Sequence, residues 1–318
     1  MRPLYGLILL VGGITASWWL IPRLVARGML PAPVWSAPGA DKHEDAAELP
    51  MVPALPPPKS QSSLRICSWN VTPLTEEKLL TPGVAAALAA VIRQFDVIVL
   101  QGVDLRDRGV IARLMDYVNR DRAVFSYATL PESLRVVTTR GIVVVFDLSG
   151  VEIDRRTVRV VDDPLKRLQF LPLTAAFRAR GVPPQEAFTF TLIGVQVDTL
   201  RAEEETDLLD DVFRAVRDDG RGEDDIILAG YFGDRTPLRQ GLSGLADVVP
   251  VMLDIPTTVD GKGAVDGFFL DRRATTEYTG KHGVMDLVRQ FKISAGQAAQ
   301  VADHLPVWAE FSTREGIE

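Results

Sequence analysis

The segment IILAGYFGDR, residues 226–235, lies where catalytic chemistry is expected and offers few groups to perform it. Its first half is apolar and β-branched, which is typical of a buried strand. In α/β enzymes the carboxyl ends of strands position catalytic and ligand-binding side chains. Here an aromatic pair and Gly233 follow the strand, and the first carboxylate is Asp234. The segment is therefore either a catalytic turn or a turn that has lost its catalytic groups.

Other polar residues that could do chemistry stand beside predicted strands. In chain order they are Asn70, Gln101, Asp104, Gln196, Asp198, Asp266, Asp303 and His304. Carboxylates bind hard cations such as Mg²⁺, and histidine is the most frequent general acid or base. Acidic residues and Asp-His pairs are also common at strand ends without any function. The order of these residues along the chain is therefore the stronger signal.

Hydrophobic periodicity predicts the elements that would position these residues. Strands are predicted at 64–71, 96–104, 135–138, 141–147, 151–161, 173–179, 187–199, 225–230, 265–271 and 305–311. Helices are predicted at 81–95, 110–120 and 203–218, with the acidic residues of the last on a solvent-exposed face. Many strands, few helices and no regular βαβ alternation predict a layered α/β sandwich of two stacked mixed β-sheets with outer helices.

This succession of strand ends resembles the endonuclease/exonuclease/phosphatase superfamily, the relatives of pancreatic deoxyribonuclease. The resemblance covers residues 64–312. It rests on the motifs RICSWNV (65–71), FDVIVLQ (95–101), IILAG-F (226–232) and ADHLPV (302–307). It implies a deoxyribonuclease-like fold with a hydrolytic site at one end of the sandwich.

In that family a glutamate helps to hold Mg²⁺ or a similar cation, and a final histidine acts as the base toward the attacking water. The resemblance assigns the base to His304 and its supporting carboxylate to Asp266. Asn70 and Asp303 are the other retained positions of the family pattern.

Four positions depart from the family pattern. They are Gly102 in place of glutamate, Gln196 in place of histidine, and Tyr231 and Gly233 in place of aspartate and asparagine. Glycine offers no metal ligand, and a tyrosine phenol is neutral at neutral pH. Loss of one transition-state donor costs about 10²–10³-fold in rate in other enzymes. The sequence therefore predicts a weak or inactive phosphoesterase that serves as a binding or scaffold module, with no cofactor expected.

Two alternatives remain open at this stage. Asp104, Asp198 and Asp234 lie one or two residues beyond changed positions, where they could form a shifted metal site. With Mg²⁺ or Mn²⁺ there and His304 as base, the protein would be an active phosphodiesterase or phosphatase. The other alternative is a purely structural envelope protein that retains only the fold.

The amino terminus predicts a membrane anchor. Residues 3–22 carry no charge, and 20 such residues in a helix are about long enough to cross a bilayer. A cleaved signal peptide is the competing interpretation. The predicted organisation is a single-pass anchor at 1–28, a proline-rich linker at 29–63 and the family-like domain at 64–318. The side of the membrane is not indicated.

The charge of the chain limits the classes of partner. The net charge is −7 over 318 residues. Because nucleic-acid affinity rests largely on Lys and Arg that neutralise phosphates, this charge argues against nucleic acid as a partner. A phosphate-containing ligand remains compatible with the family pattern, and no protein partner is indicated. The single cysteine, Cys67, excludes an intrachain disulfide.

Overall fold

The computed structural model describes residues 60, 62–130, 140–233, 236, 242, 244–252 and 254–316. The predicted anchor, nearly all of the predicted linker and the predicted strand at 135–138 lie outside these residues. In the part of the chain that is described, no helix combines the length and the apolar character needed to span a membrane.

The strands and helices of the described residues alternate irregularly along the chain. The strands are β1 (Ser63–Leu74), β2 (Val97–Asp104), β3 (Phe125–Thr129), β4 (Arg140–Asp147), β5 (Val151–Val160), β6 (Leu173–Ala179), β7 (Thr189–Gln196), β8 (Ile226–Tyr231), β9 (Val248–Pro250), β10 (Asp266–Asp271), β11 (Tyr278–Val284) and β12 (Val307–Ser312). The helices are α1 (Glu76–Leu80), α2 (Val84–Ile92), α3 (Arg108–Val118), α4 (Ala202–Asp207), α5 (Leu209–Arg217), α6 (Leu287–Phe291) and α7 (Ala295–Val301).

The strands form two six-stranded sheets. The first sheet has the order β11-β12-β1-β2-β4-β3, and the second has the order β5-β6-β7-β8-β10-β9. The central pair of each sheet is parallel, β1 with β2 and β7 with β8, and the other neighbours are antiparallel. Both sheets are therefore mixed, as predicted.

The two sheets stack through apolar inner faces. Gly194 of β7 lies so close to the first sheet that a Cβ there would be 2.8 Å from Val99 Cγ1 and 3.0 Å from Ile142 Cγ2. The ring of Phe188, which directly precedes β7 of the second sheet, stacks on the ring of Phe311 in β12 of the first sheet at a centroid distance of 5.9 Å. This packing confirms the predicted layered α/β sandwich.

Strand β7 shows why the sequences of the central strands are almost continuously apolar. Alternate side chains of a strand point to opposite faces. Leu192 belongs to the core between the sheets, whereas Ile193 packs in a second apolar cluster with Phe213 of α5. Because both faces of this strand are buried, its sequence need not alternate between apolar and polar residues.

The predicted helix 203–218 is divided at Leu208 into α4 and α5. The expectation that its acidic residues lie on a solvent-exposed face is wrong for Glu205, which is completely buried. Its carboxylate accepts hydrogen bonds from the backbone N–H groups of Gln169 (2.8 Å) and Asp198 (2.9 Å). Burial raises the pKa of Glu205 above its ordinary value. This residue fastens the two loops that contain Gln169 and Asp198 to α4.

Candidate functional site

Strand pairing places three of the predicted site positions side by side. Tyr231 at the end of β8 is in register with Gln196 on β7 and with Asp266 on β10. Residues directly opposite each other on neighbouring strands project toward the same face of a sheet. The family-like positions of the second sheet therefore converge at one end of it.

The first sheet contributes the matching end of its parallel pair. Asn70 on β1 is in register with Gln101 on β2. The next residue, Gly102, donates its backbone N–H to Gln196 Oε1 at 3.0 Å. Because Gln196 belongs to the second sheet, this buried hydrogen bond joins the sheets at the candidate site. Gln196 thus serves a structural contact where the family pattern has a histidine.

His304 and Asp266 form a close pair. His304 Nδ1 and Asp266 Oδ2 are 2.7 Å apart, and Thr257 Oγ1 donates to the same oxygen at 2.7 Å. Asp266 is 1% exposed, so the carboxylate of this pair is shielded from water. The backbone carbonyl of His304 accepts a hydrogen bond from Trp69 Nε1 at 2.9 Å. The imidazole is therefore fixed both through its ring and through its backbone.

The surroundings of His304 favour its charged form. Burial lowers the pKa of His304, while the hydrogen bond to Asp266 and the negative charges of Asp303 and Asp260 act in the opposite direction. The net result is a pKa above the ordinary histidine value of 6.5. With Nδ1 committed to Asp266, the ring nitrogen that remains to meet a ligand is Nε2.

This pKa predicts a pH-dependent contribution to stability. Since the folded-state pKa of His304 is raised, its stabilisation is complete below the unfolded-state pKa of about 6.5 and is lost as the pH rises through the folded-state pKa. The free energy of unfolding should be measured for wild type and His304→Ala at about pH 5.5 and about pH 9. We expect the difference between them to be smaller at the higher pH, and a constant difference would contradict the assigned charge.

Tyr231 covers the imidazole. Its ring lies edge-to-face with His304 at a centroid distance of 5.1 Å and an interplanar angle of 86°. The family pattern has an aspartate at this position, and a phenol supplies no anionic oxygen in its place. Tyr231 therefore acts here as a packing group.

Gly102 has no room for any side chain. Its φ is +77°, and a Cβ there would lie 1.8 Å from Thr72 Oγ1, 2.6 Å from Thr72 Cβ and 2.7 Å from Thr72 Cα. The pairing of β1 with β2 shifts register between Asn70 and Leu74, which brings Thr72 against Gly102. Thr72 thus occupies the space into which the metal-holding glutamate of the family would extend.

Asn70 and Asp303 are placed differently from each other. Asn70 is 4% exposed, and its Oδ1 accepts a hydrogen bond from the backbone N–H of Thr72 at 3.1 Å. An asparagine that bonds the backbone two residues later stabilises a turn. Asp303 is exposed, and its charge raises the pKa of His304.

Asp104 and Asp198, the two carboxylates of the predicted shifted metal site that the structure describes, each accept a hydrogen bond from a nearby backbone N–H group. Asp104 Oδ1 accepts a hydrogen bond from the backbone N–H of Arg106 at 3.0 Å, and Asp198 caps the turn at Leu200 with a bond of 3.1 Å. Among the described residues, neither belongs to a group of three potential metal ligands within 4.8 Å of one another. Asp234 lies outside these residues, so a site that includes all three stays a prediction.

The residues present do not fit the cation of the family site. A hard divalent cation prefers anionic oxygen ligands. Thr72 fills the glutamate space, Tyr231 replaces an aspartate, and the amide oxygen of Asn70 is engaged by the backbone. These residues therefore do not provide the ligands through which Mg²⁺ would act in the family site.

Sequence reasoning missed Lys78, which lies beside the end of β1. Its Nζ donates to the backbone carbonyl of Val71 at 3.0 Å. Burial lowers the pKa of Lys78 to about 8, and the charge of Asp303 opposes this shift. Thr75 followed by two acidic residues is a helix-start signal that could have indicated α1, although no helix was predicted there. Nothing in the sequence places Lys78 beside Asp303.

Comparison with solved structures identifies the fold. TDP2 of D. rerio in complex with a single-stranded DNA product is 16% identical, with a TM-score of 0.51 over 79% of this chain and 99% of that one. A humanized form of D. rerio TDP2 gives 14% identity and a TM-score of 0.51, with 79% and 99% coverage. An endonuclease/exonuclease/phosphatase family protein from Bacteroides thetaiotaomicron gives 12% identity and a TM-score of 0.49, with 79% and 98% coverage.

The fold of this domain is that of the endonuclease/exonuclease/phosphatase superfamily. No family model matches the sequence, and a search of curated proteins finds no match. At identities of 14–16% the likeness to the two TDP2 structures defines the fold alone. Function must therefore be argued from the site itself.

Proposed function

We propose that the domain is a binding module with the endonuclease/exonuclease/phosphatase fold that has lost phosphoester hydrolysis, and that residues 3–22 hold it at a membrane. The observation that carries the first part is the packing of Thr72 against Gly102, 1.8 Å from the place of a Cβ. A metal ligand at position 102 would require the backbone of β1 to move. The exchange of the neighbouring aspartate position for Tyr231 acts in the same direction.

The ligand that we propose is a phosphate-containing anion. The raised pKa of His304 favours its charged form, and Lys78, with a pKa of about 8, is mostly protonated at neutral pH. The charge of Asp303 acts on both side chains, which places the two cations in one region. Cationic side chains bind phosphate without a metal through charge-assisted hydrogen bonds.

Phosphate binding can be tested on His304 directly. The full-length protein in detergent should be titrated with inorganic phosphate and with bis(p-nitrophenyl) phosphate while the histidine ring protons are followed by NMR. The chain has three histidines, which makes assignment by substitution simple. We expect the His304 signal to move and the signal of His282, which is hydrogen-bonded to Tyr278 at 2.6 Å, to stay in place.

Substitution of Lys78 and of Lys281 distinguishes phosphate binding at this site from a general effect of positive charge. Lys78→Met should weaken phosphate binding several-fold, on the order of the loss of one charge-assisted hydrogen bond. Lys281→Met is the matched control, because Lys281 is exposed and pairs with Glu310 at 2.8 Å. Equal effects of both substitutions, or an unmoved His304 signal, would contradict the proposed ligand class.

The membrane part of the proposal has a separate test. We expect the full-length protein to sediment with membranes and to resist high salt, because an apolar segment of 20 residues inserts through its hydrophobic area. A chain without residues 1–28 should remain in the supernatant. Recovery of a mature chain that begins after residue 30 would show instead that the segment is a removed signal peptide.

One observation favours the alternative of an active phosphodiesterase or phosphatase. The bond of 2.7 Å between His304 and Asp266 retains the geometry that a general base needs. Metal-dependent turnover that disappears in His304→Ala and in Asp104→Asn would support that alternative. If the protein shows neither turnover nor phosphate binding, the hypothesis of a purely structural envelope protein remains.

A further inference from the structure

A second group of carboxylates lies at the opposite end of the sandwich from Tyr231. Asp225 directly precedes β8, Glu277 directly precedes β11, and Glu315 follows β12. Carboxylate oxygens of these three residues all lie within 4.8 Å of one another. Three chain segments that are distant in sequence, from both sheets, thus bring negative charge to one place.

Two of the three side chains are buried with unsatisfied oxygens. Asp225 is 5% exposed and Glu277 is 4% exposed. Asp225 Oδ1 and Glu277 Oε2 have no hydrogen-bond partner among the described residues. None of the ion pairs found in the described part of the chain involves the three carboxylates. Buried carboxylates without a partner are rare because their desolvation is costly.

The remaining oxygens of the two glutamates are held by donors that orient them. Glu277 Oε1 accepts hydrogen bonds from the backbone N–H of Gly316 and from Thr276 Oγ1, the latter at 3.2 Å. Glu315 Oε1 accepts from the backbone N–H of Thr189 at 2.7 Å. One oxygen of Glu277 is therefore fixed while the other stays available. Supporting hydrogen bonds of this kind are typical of carboxylates that ligate metals.

A hydroxyl adds a further oxygen to this cluster. Thr275 is 3% exposed. Its hydroxyl lies close enough to Asp225 to lower the pKa of that carboxyl, although the contact falls outside ordinary hydrogen-bond geometry. The donor set is composed of oxygen alone, which selects hard cations over zinc or copper.

The electrostatics are consistent with an uncompensated cluster. Burial raises the pKa of Asp225 to about 8, and the negative charge of Glu277 adds to this effect. Burial also raises the pKa of Glu315. A cation among these groups would remove the repulsion between them, and it would compete with the proton that otherwise neutralises the cluster.

We propose that Asp225, Glu277 and Glu315 form a structural binding site for a hard divalent cation, with Ca²⁺ as the preferred ion. Ca²⁺ accepts irregular sets of six to eight oxygens, whereas Mg²⁺ demands near-octahedral geometry and retains several waters. Two ligands that are more than nine-tenths buried and come from separate segments suit Ca²⁺ better. The bound ion ties the start of β8 to the start of β11 and to the chain after β12, and so links the two sheets.

The test is thermal unfolding of the full-length protein in detergent, first treated with EDTA and then titrated with Ca²⁺ or Mg²⁺. We expect a rise in Tm of about 5–10 °C at a free Ca²⁺ concentration 100 times the Kd, and a smaller rise with Mg²⁺. Calorimetry should give one site with a Kd below about 1 mM, the weak limit of built calcium sites.

Substitutions assign the ion to this cluster. Asp225→Asn and Glu277→Gln should each weaken Ca²⁺ binding at least tenfold and abolish most of the rise in Tm. Glu315→Gln, at the least buried of the three positions, keeps the test decisive if a buried variant does not fold. Glu203→Gln is the matched control, because Glu203 is an exposed acidic residue on α4. His304→Ala should leave the response to Ca²⁺ unchanged, which separates this site from the candidate functional site.

Two results would overturn the proposal. One is the absence of Ca²⁺ or Mg²⁺ binding tighter than about 1 mM to the wild-type protein. The other is Ca²⁺ binding that survives the substitutions of Asp225, Glu277 and Glu315, or that is removed equally by Glu203→Gln.

Discussion

Gly102→Ala should lower the free energy of unfolding by about 2–5 kcal/mol, since it combines two costs. A residue with a side chain in the left-handed region costs about 1–2 kcal/mol, and overpacking of a filled interior costs about 1–3 kcal/mol. The φ of Gly102 is +77°, and the new Cβ would overlap Thr72 Oγ1. Denaturant unfolding of both proteins measures the difference.

Gly181→Ala is the matched control for this prediction. Gly181 has a φ of +85°, and a Cβ there would have no atom within 4 Å. It should therefore cost only the backbone term of about 1–2 kcal/mol. Equal losses at Gly102 and Gly181 would show that Thr72 can move aside, and the glutamate space of the family site would then be open.

Removal of Thr72 Oγ1 should not rescue the alanine at position 102. The Cβ and Cα of Thr72 would still lie 2.6 Å and 2.7 Å from the added Cβ. Thr72→Ala combined with Gly102→Ala should therefore remain well below wild type in its free energy of unfolding. A full rescue would reduce the obstruction to a single hydroxyl.

His304→Ala should lower the free energy of unfolding by about 2–4 kcal/mol at a pH below 6.5. A hydrogen bond to a charged group contributes about 1.5–3 kcal/mol, and an unpaired buried carboxylate adds a desolvation cost. Asp266 would retain only its bond from Thr257, because its Oδ1 has no partner among the described residues. Denaturant midpoints of the two proteins test this expectation.

His282→Ala is the histidine control. His282 lies on β11 and is hydrogen-bonded to the neutral phenol of Tyr278, so its removal leaves no buried charge behind. Its cost should be about 1 kcal/mol. If His304→Ala is no more destabilising than His282→Ala, the His304–Asp266 pair is not a structural fastener, and retention for chemistry becomes the better explanation.

Much of the sandwich could be predicted because its central strands are covered on both faces. Strand β6 begins and ends where the apolar pattern predicts, at Leu173 and Ala179. Short elements were missed, such as β3, β9 and α1, because they hold too few residues for a period to emerge. Strand β11, which contains His282, was also missed, because it is an edge strand with several exposed residues.

The candidate site was predictable in its residues and not in its contacts. The order of strand ends assigned Asn70, Asp266 and His304 to one site, and the structure pairs His304 with Asp266. The position of Thr72 depends on a register shift between β1 and β2, which no local pattern encodes. Likewise, the convergence of Asp225 and Glu277 results from the stacking of two sheets. Such contacts between distant segments require the fold.

The central claim is that this superfamily fold no longer hydrolyses phosphoesters. The most direct measurement is turnover of bis(p-nitrophenyl) phosphate by the full-length protein in Mg²⁺ and in Mn²⁺, with His304→Ala measured in parallel. We predict no turnover above the buffer rate that depends on His304, in either metal. Turnover by the wild type that His304→Ala eliminates, with its denaturant midpoint unchanged, would contradict the account and identify a working hydrolase.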